Sequence, residues 1–124
     1  MFQFPKSQKL CAKKEIEKLF SKGKHLSEKP ISIIWYFQDS CQNSFVKTVI
    51  IVSKKNIKKA TSRNRIKRKI REIYRYKKSL VEMALKQKEK KINLAIIYKE
   101  EKKSDYNRLE EKINLLLTRL INEI

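Results

Sequence analysis

The sequence predicts an α+β domain in which helices pack on one sheet. Short runs rich in β-branched and aromatic residues, which favour strands, alternate with segments whose apolar residues recur at the helical period. The 124 residues include one glycine and two well-separated prolines, so no flexible or proline-rich linker divides the chain. We therefore expect residues 1–124 to form one domain, long enough for a core of two packed layers.

The first predicted helix covers residues 12–23. Its apolar residues Ile16, Leu19 and Phe20 fall on one side at helical spacing. Gly23 follows as a C-terminal stop, a position at which glycine is enriched.

Two strands are predicted next, at 31–37 and 45–53, with the turn-forming residues 38–44 between them. We interpret the pair as an antiparallel hairpin. In the first of these strands the odd positions are apolar and are expected to face the core, whereas the even positions are expected to face a more polar surface. The odd set is Ile31, Ile33, Trp35 and Phe37, and the even set is Ser32, Ile34 and Tyr36.

The second half of the chain predicts an arginine-rich helix, a strand and a final helix. The sequence SLVE at 79–82 is a capping-box pattern, which indicates a new or restarted helix near 80–89. The run INLAIIY at 92–98 predicts a buried strand. Asp105 is the expected cap of a terminal helix whose apolar residues recur at helical spacing: Leu109, Ile113, Leu116, Leu117, Leu120, Ile121 and Ile124.

Charge is the strongest global feature of the chain. It has 32 Lys and Arg against 13 Asp and Glu, a formal net charge of +19. Residues 54–78 alone carry 13 basic side chains and one acidic side chain, a local net charge of +12. Such a field attracts polyanions and speeds their capture, so nucleic acid and an anionic membrane are the partners to weigh.

The arginine-rich segment is predicted to be a helix with two functional sides. Ile66, Ile70 and Ile73 share a narrow stripe that must face the core. The opposite side carries Asn64, Arg68, Arg71 and Arg75. A solvated helix held by i,i+4 ion pairs would need acids, and within 54–78 only Glu72 is available.

Arginine rather than lysine favours nucleic acid over a membrane. The chain has 25 Lys and 7 Arg, yet five of the arginines lie within residues 63–75. Guanidinium forms bidentate bonds to phosphate and stacks on bases, which ammonium does not. A membrane-surface helix would need a broad apolar face, and here that face is required by the sheet. The longest apolar runs, 33–37 and 49–52, are too short to span a bilayer.

The sequence predicts no catalytic and no metal-ligating residue. His25 is the single histidine, and we expect it at the surface in a loop. Cys11 and Cys41 lack metal-site spacing and are expected to be reduced thiols in a cytoplasmic protein. We find no Ser-His-Asp set, Gly-rich phosphate loop or acidic cluster. If the protein serves catalysis, the catalyst lies in a partner.

The sequence around the arginine-rich helix resembles a known signature. VSKK at 52–55, a short loop and RNRIKRKIREIYR at 63–75 together resemble the signature of the bacterial ribonuclease P protein family. The resemblance extends over nearly the whole chain, from a first helix that ends in LFSKG at 19–23 to the last helix.

This resemblance implies a function and a fold. The protein would be a basic subunit of a ribonucleoprotein whose catalytic RNA, with Mg²⁺ held mainly by that RNA, removes the 5′ leader of precursor tRNA by hydrolysis. The implied fold is an α+β sandwich in the order α-β-β-(β)-α-β-α, where the bracketed strand is optional. Helices would pack on a small mixed sheet, and the βαβ crossover would be left-handed, against the usual preference.

Carried over by position, the RNA contacts of the family fall on the motif and its flanks. They are Lys54, Lys55, Arg63, Asn64, Arg65, Lys67, Arg68 and Arg71, to which the helical geometry adds Arg75.

The family also binds the single-stranded leader in a cleft between the first helix and the sheet. Phe20 matches an aromatic position of that cleft, but Ile16 stands where the family often has Phe, which would weaken base stacking. Ile34 and Tyr36 lie on the strand face predicted to point away from the core, where Tyr36 would supply a stacking surface. For Ile16 and Phe20, plain core packing is the alternative.

The sequence also departs from the family pattern in two segments. The loop 56–62 lacks a Gly common in the family and is one residue longer, and 76–91 is longer than usual.

A non-enzymatic protein that binds structured RNA, such as a ribosome-associated factor, would use the same basic helix. A DNA-binding helix-turn-helix protein is disfavoured, because the basic helix lies between strands and no short helix and turn precede it.

Overall fold

A computed structural model describes residues 13–37, 45–100 and 105–124 of the chain. In these ranges it contains three helices and four strands. In chain order they are α1 (Lys13–Lys22), β1 (Lys24–Glu28), β2 (Ile31–Phe37), β3 (Val46–Val52), α2 (Ala60–Gln87), β4 (Ile92–Tyr98) and α3 (Tyr106–Glu123). The order α-β-β-β-α-β-α confirms the implied α+β fold, including its optional strand. The predicted turn at 38–44 and both cysteines, Cys11 and Cys41, lie outside the described residues.

The sheet is mixed, with the strand order β1-β2-β4-β3. β2 pairs antiparallel with β1 and with β4, and β3 pairs parallel with β4. The predicted hairpin of β2 and β3 is therefore wrong, because β4 lies between them. All seven residues of β4 are buried. A uniformly apolar strand is best buried at the centre of a sheet that is covered on both faces. β4 therefore lies between β2 and β3 and prevents their direct pairing.

Strand β1 was not predicted from the residue pattern. It reads KHLSE, and Leu26 is its one buried residue, so it lacks the apolar alternation that marks a strand. Its pairing with β2 through a tight turn at Lys29 and Pro30 creates the strand instead. His25 consequently lies in a strand rather than a loop, although its side chain is exposed as predicted.

Helices cover both faces of the sheet. On one face, α2 and α3 enclose the main core, which includes Ile31, Ile33 and Trp35 of β2, as predicted. Phe37, the fourth residue of the odd set, lies at the end of the strand and is 37% exposed, so the prediction is wrong for it. On the other face, α1 packs over β2 and β4. Leu19 of α1 there contacts a second cluster that includes Ile34. The even face of β2 is therefore not simply a polar surface, because α1 buries part of it.

Helix α2 runs without interruption for 28 residues, so the predicted restart near 80–89 is wrong. Val81 and Leu85 prolong the buried stripe begun by the three isoleucines, and this packing carries the helix through the capping-box sequence. Within that sequence Glu82 pairs with Lys78 one turn earlier, at 3.7 Å, instead of folding back to cap a new helix.

Two further expectations concern the handedness of the βαβ crossover and the start of α3. α2 connects the adjacent parallel strands β3 and β4, and the left-handed sense of this βαβ unit stays a prediction. The Asp105 side chain accepts a hydrogen bond from the Arg108 backbone N–H at 2.7 Å, which confirms it as the N-cap of α3.

Candidate RNA-binding surface

The predicted two-sided character of α2 is present in the structure. Ile66, Ile70 and Ile73 are buried in the main core. Asn64, Arg65, Arg68 and Arg75 are exposed, and Lys67 and Arg71 are half-buried beside them. We call these six residues the basic ridge. The core stripe fixes the rotation of the helix, so the ridge must point outward.

The ridge is electrostatically uncompensated in its central part. Among the described residues, neither Arg65 nor Arg68 has an acidic partner within ion-pair distance. The first turn of α2 contains no acidic residue. The helix N-terminus itself carries partial positive charge. This charge adds to the positive field of the lysines and arginines there and favours the binding of a polyanion.

Arg63 has a different environment from the ridge. Its Nη1 donates hydrogen bonds to the carbonyl oxygens of Ile57, at 3.0 Å, and of Lys58, at 2.7 Å. Ile57 is buried and anchors the loop to the core. Part of the Arg63 guanidinium therefore holds the loop that precedes α2, a role that the charge pattern did not reveal.

The loop before α2 carries two of the predicted lysines. Lys54 and Lys55 are exposed in a turn directly after β3. The Lys55 backbone N–H donates to the Ser53 hydroxyl oxygen at 3.1 Å, and the Ile57 N–H donates to the Ser53 carbonyl at 3.0 Å. The VSKK segment thus ends in a defined turn that exposes both lysines in the loop leading into α2.

A second candidate surface lies on the opposite face of the sheet, beside α1. Ile16 and Tyr36 are half-buried against the small cluster around Leu19, and Phe20 is 42% exposed. The Lys18 Nζ lies 5.4 Å from the centre of the Tyr36 ring. Ile34 is only 2% exposed and lies beneath α1, so it supports this surface and does not form it.

Strand β3 forms the other side of this surface, which the sequence interpretation missed. α1 covers β2 and β4, and the edge strand β3 extends beyond it. Val49 and Ile51 are half-buried against the small cluster, and Lys47 shares their side of the strand. We call the surface between α1 and these three residues, which includes Phe20 and Tyr36, the cleft. Alternation along β3 indicates this set, but the assumed hairpin placed β3 beside β2.

The described residues contain no candidate metal centre and no membrane span. No group of three or more His, Cys, Asp or Glu side chains comes together within them. None of their helices is long and apolar enough to cross a bilayer.

An α+β sandwich with an outward basic ridge and a separate aromatic cleft has the features of a small RNA-binding protein. The sequence model of the family described as Ribonuclease P matches residues 4–121. The chain belongs to this family. It is thus a protein component of ribonuclease P, an endoribonuclease holoenzyme that processes tRNA 5′ leaders together with an RNA subunit.

Individual relatives agree with this assignment. The chain is 25% identical over 123 residues to the ribonuclease P protein component of Porphyromonas gingivalis, covering 99% of this chain and 90% of that protein. Over 76 residues it is 34% identical to the protein component of Legionella pneumophila, covering 61% of this chain and 64% of that protein.

Solved structures establish the same fold. The RNase P protein from Thermotoga maritima is 24% identical, with a TM-score of 0.71 over 90% of this chain and 96% of that chain. The RNase P protein from Staphylococcus aureus is 18% identical, with a TM-score of 0.74 over 91% and 94%.

Proposed function

We propose that this chain binds the catalytic RNA of ribonuclease P through the basic ridge and the VSKK turn, and that its cleft holds the 5′ leader of precursor tRNA. The observation that carries the proposal is the arrangement of α2. One buried stripe anchors the helix, while exposed Arg65 and Arg68, which have no acidic partner among the described residues, face away from it. The proposed RNA contacts are Lys54, Lys55, Arg63, Asn64, Arg65, Lys67, Arg68, Arg71 and Arg75.

Binding at the ridge is driven by counterion release. For each Lys or Arg that replaces a condensed cation, log K of RNA binding falls by roughly 0.7–0.9 more per tenfold rise in salt concentration. Arginine adds geometry to this charge, because its guanidinium binds two phosphate oxygens at once. A ridge of this kind fits a folded RNA with closely spaced phosphates.

The cleft supports discrimination between precursor and product. A single-stranded leader that lies against Phe20 and Tyr36 gains stacking, worth roughly 1–3 kcal/mol per base. Mature tRNA has no leader and cannot make these contacts. Binding energy is therefore added to the precursor alone, and the protein favours substrate over product.

Mg²⁺ is assigned to the RNA partner and not to this chain. Mg²⁺ prefers carboxylate and phosphate oxygens, but Glu72 is the single acid within residues 54–78. The described residues also bring no acidic cluster together. The chain's own residues would act by reducing repulsion between RNA phosphates, which lets the RNA retain its ions at lower concentration. We propose a cytoplasmic location for this activity, because its substrate is a precursor tRNA.

Reconstitution tests this function. Mixed with the catalytic RNA and labelled precursor tRNA at low Mg²⁺, the wild-type protein should stimulate 5′ cleavage and lower the KM for precursor. Arg65→Ala and Arg68→Ala should each weaken assembly and reduce the salt slope by about 0.7–0.9. Arg119→Ala is the matched control, because Arg119 lies on α3 and pairs with Glu28 at 3.5 Å.

Three outcomes would contradict the proposal. Tight binding to the RNA without stimulation of cleavage would favour a non-enzymatic protein that binds structured RNA. Equal effects of the Arg68 and Arg119 substitutions would show that net charge acts, and not the ridge. Cleavage by the protein alone would refute the assignment of the catalytic centre to the RNA.

A further inference from the structure

The loop between β3 and α2 carries positive charges that the family signature does not assign. Lys58 and Lys59 lie in the segment that departs from the family pattern, and both are exposed. With Lys54 and Lys55 they place four ammonium groups within residues 54–59. None of the four forms an ion pair with another described residue. Because like charges repel one another, this crowding disfavours a compact loop in the free protein.

Lys58 and Lys59 are also unfavourable for the helix that follows them. Lys59 is the N-cap residue of α2, and its side chain makes no capping hydrogen bond. A lysine has no acceptor with which to satisfy the first N–H groups, whereas Ser, Thr, Asp and Asn have one. The charges of both lysines also oppose the partial positive charge of the helix N-terminus. The two side chains therefore destabilise the free helix, and a polyanion bound to them would offset that effect.

Despite this repulsion, the loop is held in place on both sides of a buried anchor. The Ile57 side chain is only 6% exposed, and its N–H donates to the Ser53 carbonyl at 3.0 Å. Beyond this anchor, the Arg63 Nη1 donates to the carbonyl oxygens of Ile57, at 3.0 Å, and of Lys58, at 2.7 Å. The Arg63 backbone N–H donates to the next carbonyl, that of Lys59, at 3.0 Å, as the helix begins. One residue therefore binds three consecutive carbonyl groups and fixes the backbone that carries both lysines.

We propose that Lys58 and Lys59 form a further contact with phosphates of the catalytic RNA, and that Arg63 is the positioning residue that holds them for it. This inference rests on the proposed function, because the loop and the basic ridge must meet the same RNA. Arg63 is half-buried and its Nη1 is directed at the loop, whereas Arg65 is exposed on the ridge. A pair of ammonium groups on a fixed backbone binds more tightly than a mobile pair, since less conformational entropy is lost on binding.

The test is a double-mutant cycle on affinity for the catalytic RNA, measured by filter binding over a salt series. Lys58→Ala combined with Lys59→Ala should weaken binding by about three- to tenfold and reduce the salt slope by roughly 1.4–1.8, the contribution of two phosphate contacts. Arg63→Ala alone should weaken binding by at least as much, because it releases the loop. Once the loop is released, the two lysine substitutions should weaken binding by less than about twofold, since coupled residues are not additive.

Arg65 provides the matched control for this cycle. It lies two residues after Arg63 and makes no hydrogen bond to the loop within the described part of the chain. Arg65→Ala and the two lysine substitutions should therefore multiply their separate losses.

Amide hydrogen exchange reports on the loop itself. In Arg63→Ala the Ile57 N–H should exchange faster, while the amides of β4 keep wild-type protection. If Arg63→Ala does not fold, Arg63→Met removes the same donors and keeps the apolar stem of the side chain.

The outcomes separate this inference from the proposed function. Multiplied losses with Arg63→Ala, or wild-type exchange at Ile57 in that variant, would overturn the positioning role and assign Arg63 to direct RNA contact. Unchanged affinity and salt slope after both lysine substitutions, with Arg68→Ala still weakening binding, would overturn the inference alone and show that the loop lysines are only solvated. Wild-type affinity in the lysine variants and in Arg68→Ala would refute the proposed function first.

Discussion

Thr48 of β3 donates a hydrogen bond from its Oγ1 to the hydroxyl oxygen of Tyr74 in α2, at 2.9 Å. Both residues are buried in the layer between the sheet and the basic helix. Tyr74 is the one fully buried aromatic of α2, so this contact links the helix that carries the ridge to the strand that forms one side of the cleft. It is one of the contacts that fix the relative placement of the two surfaces.

Replacing the Thr48 hydroxyl should destabilise the fold. Thr48→Val keeps the shape of the side chain but removes the donor, and we expect a loss of about 1–3 kcal/mol in the free energy of unfolding. Urea denaturation measures it. Thr118→Val is the control, because the exposed Thr118 hydroxyl donates only to the Asn114 carbonyl of its own helix, and the expected change is under about 0.5 kcal/mol. Similar losses for the two variants would contradict a special role for Thr48.

Tyr74 should make stability decline at alkaline pH. Burial raises the pKa of Tyr74 far above its ordinary range, partly offset by the Thr48 hydrogen bond and assisted by the charge of Glu82. The unfolded chain ionises this phenol near pH 10, while the folded chain keeps it neutral. Stability is thus unaffected below about pH 10 and falls above it, by up to about 1.4 kcal/mol per pH unit.

The difference between wild type and Tyr74→Phe isolates this effect from the titration of the lysines. Unfolding free energies measured from pH 8 to 11.5 should fall more steeply above about pH 10 in wild type than in Tyr74→Phe. Parallel curves would show that Tyr74 ionises in the folded state.

Gly23, the predicted C-terminal stop of the first helix, should not tolerate a side chain, and the reason is close packing. No glycine of the described chain has a positive φ. The Gly23 N–H donates to the Leu19 carbonyl at 2.8 Å, and a Cβ would collide with that same oxygen. It would also lie 2.5 Å from the Ile34 Cγ2.

Gly23→Ala should therefore move α1 away from β2 and cost about 1–3 kcal/mol of stability through overpacking. Leader binding should weaken as well, since α1 forms one side of the cleft. Calorimetry and leader titration test both effects against Ser21→Ala, an exposed change at the end of the same helix. Wild-type stability in Gly23→Ala would show that α1 adapts without cost.

Arg68→Lys should separate geometry from charge on the ridge. The ammonium keeps the positive charge, so the salt slope of RNA binding should stay unchanged, whereas loss of a bidentate contact should reduce affinity by about three- to tenfold. Filter binding over a salt series distinguishes the two quantities. Arg119→Lys should alter neither. An equal slope and equal affinity for Arg68→Lys would mean that charge alone is required.

Local periodicity was sufficient for most elements of the fold. The bounds of β2, β4 and α3 and the inward stripe of α2 were predictable, because each depends on residues a few positions apart. The signature around residues 52–75 identified the family for the same reason, since its residues are contiguous. The restart near 80–89 was mispredicted because a capping-box sequence has the same local pattern whether or not packing continues the helix past it.

The sequence by itself determined the elements, the charge, the two sides of the basic helix and the family. The tertiary structure alone decided which strands pair, that α1 buries Ile34, and that Arg63 holds the loop before α2. The physical reason is that strand pairing is chosen by burial of the whole sheet. β4 is apolar throughout and therefore takes the centre, which separates β2 from β3 and creates the floor of the cleft.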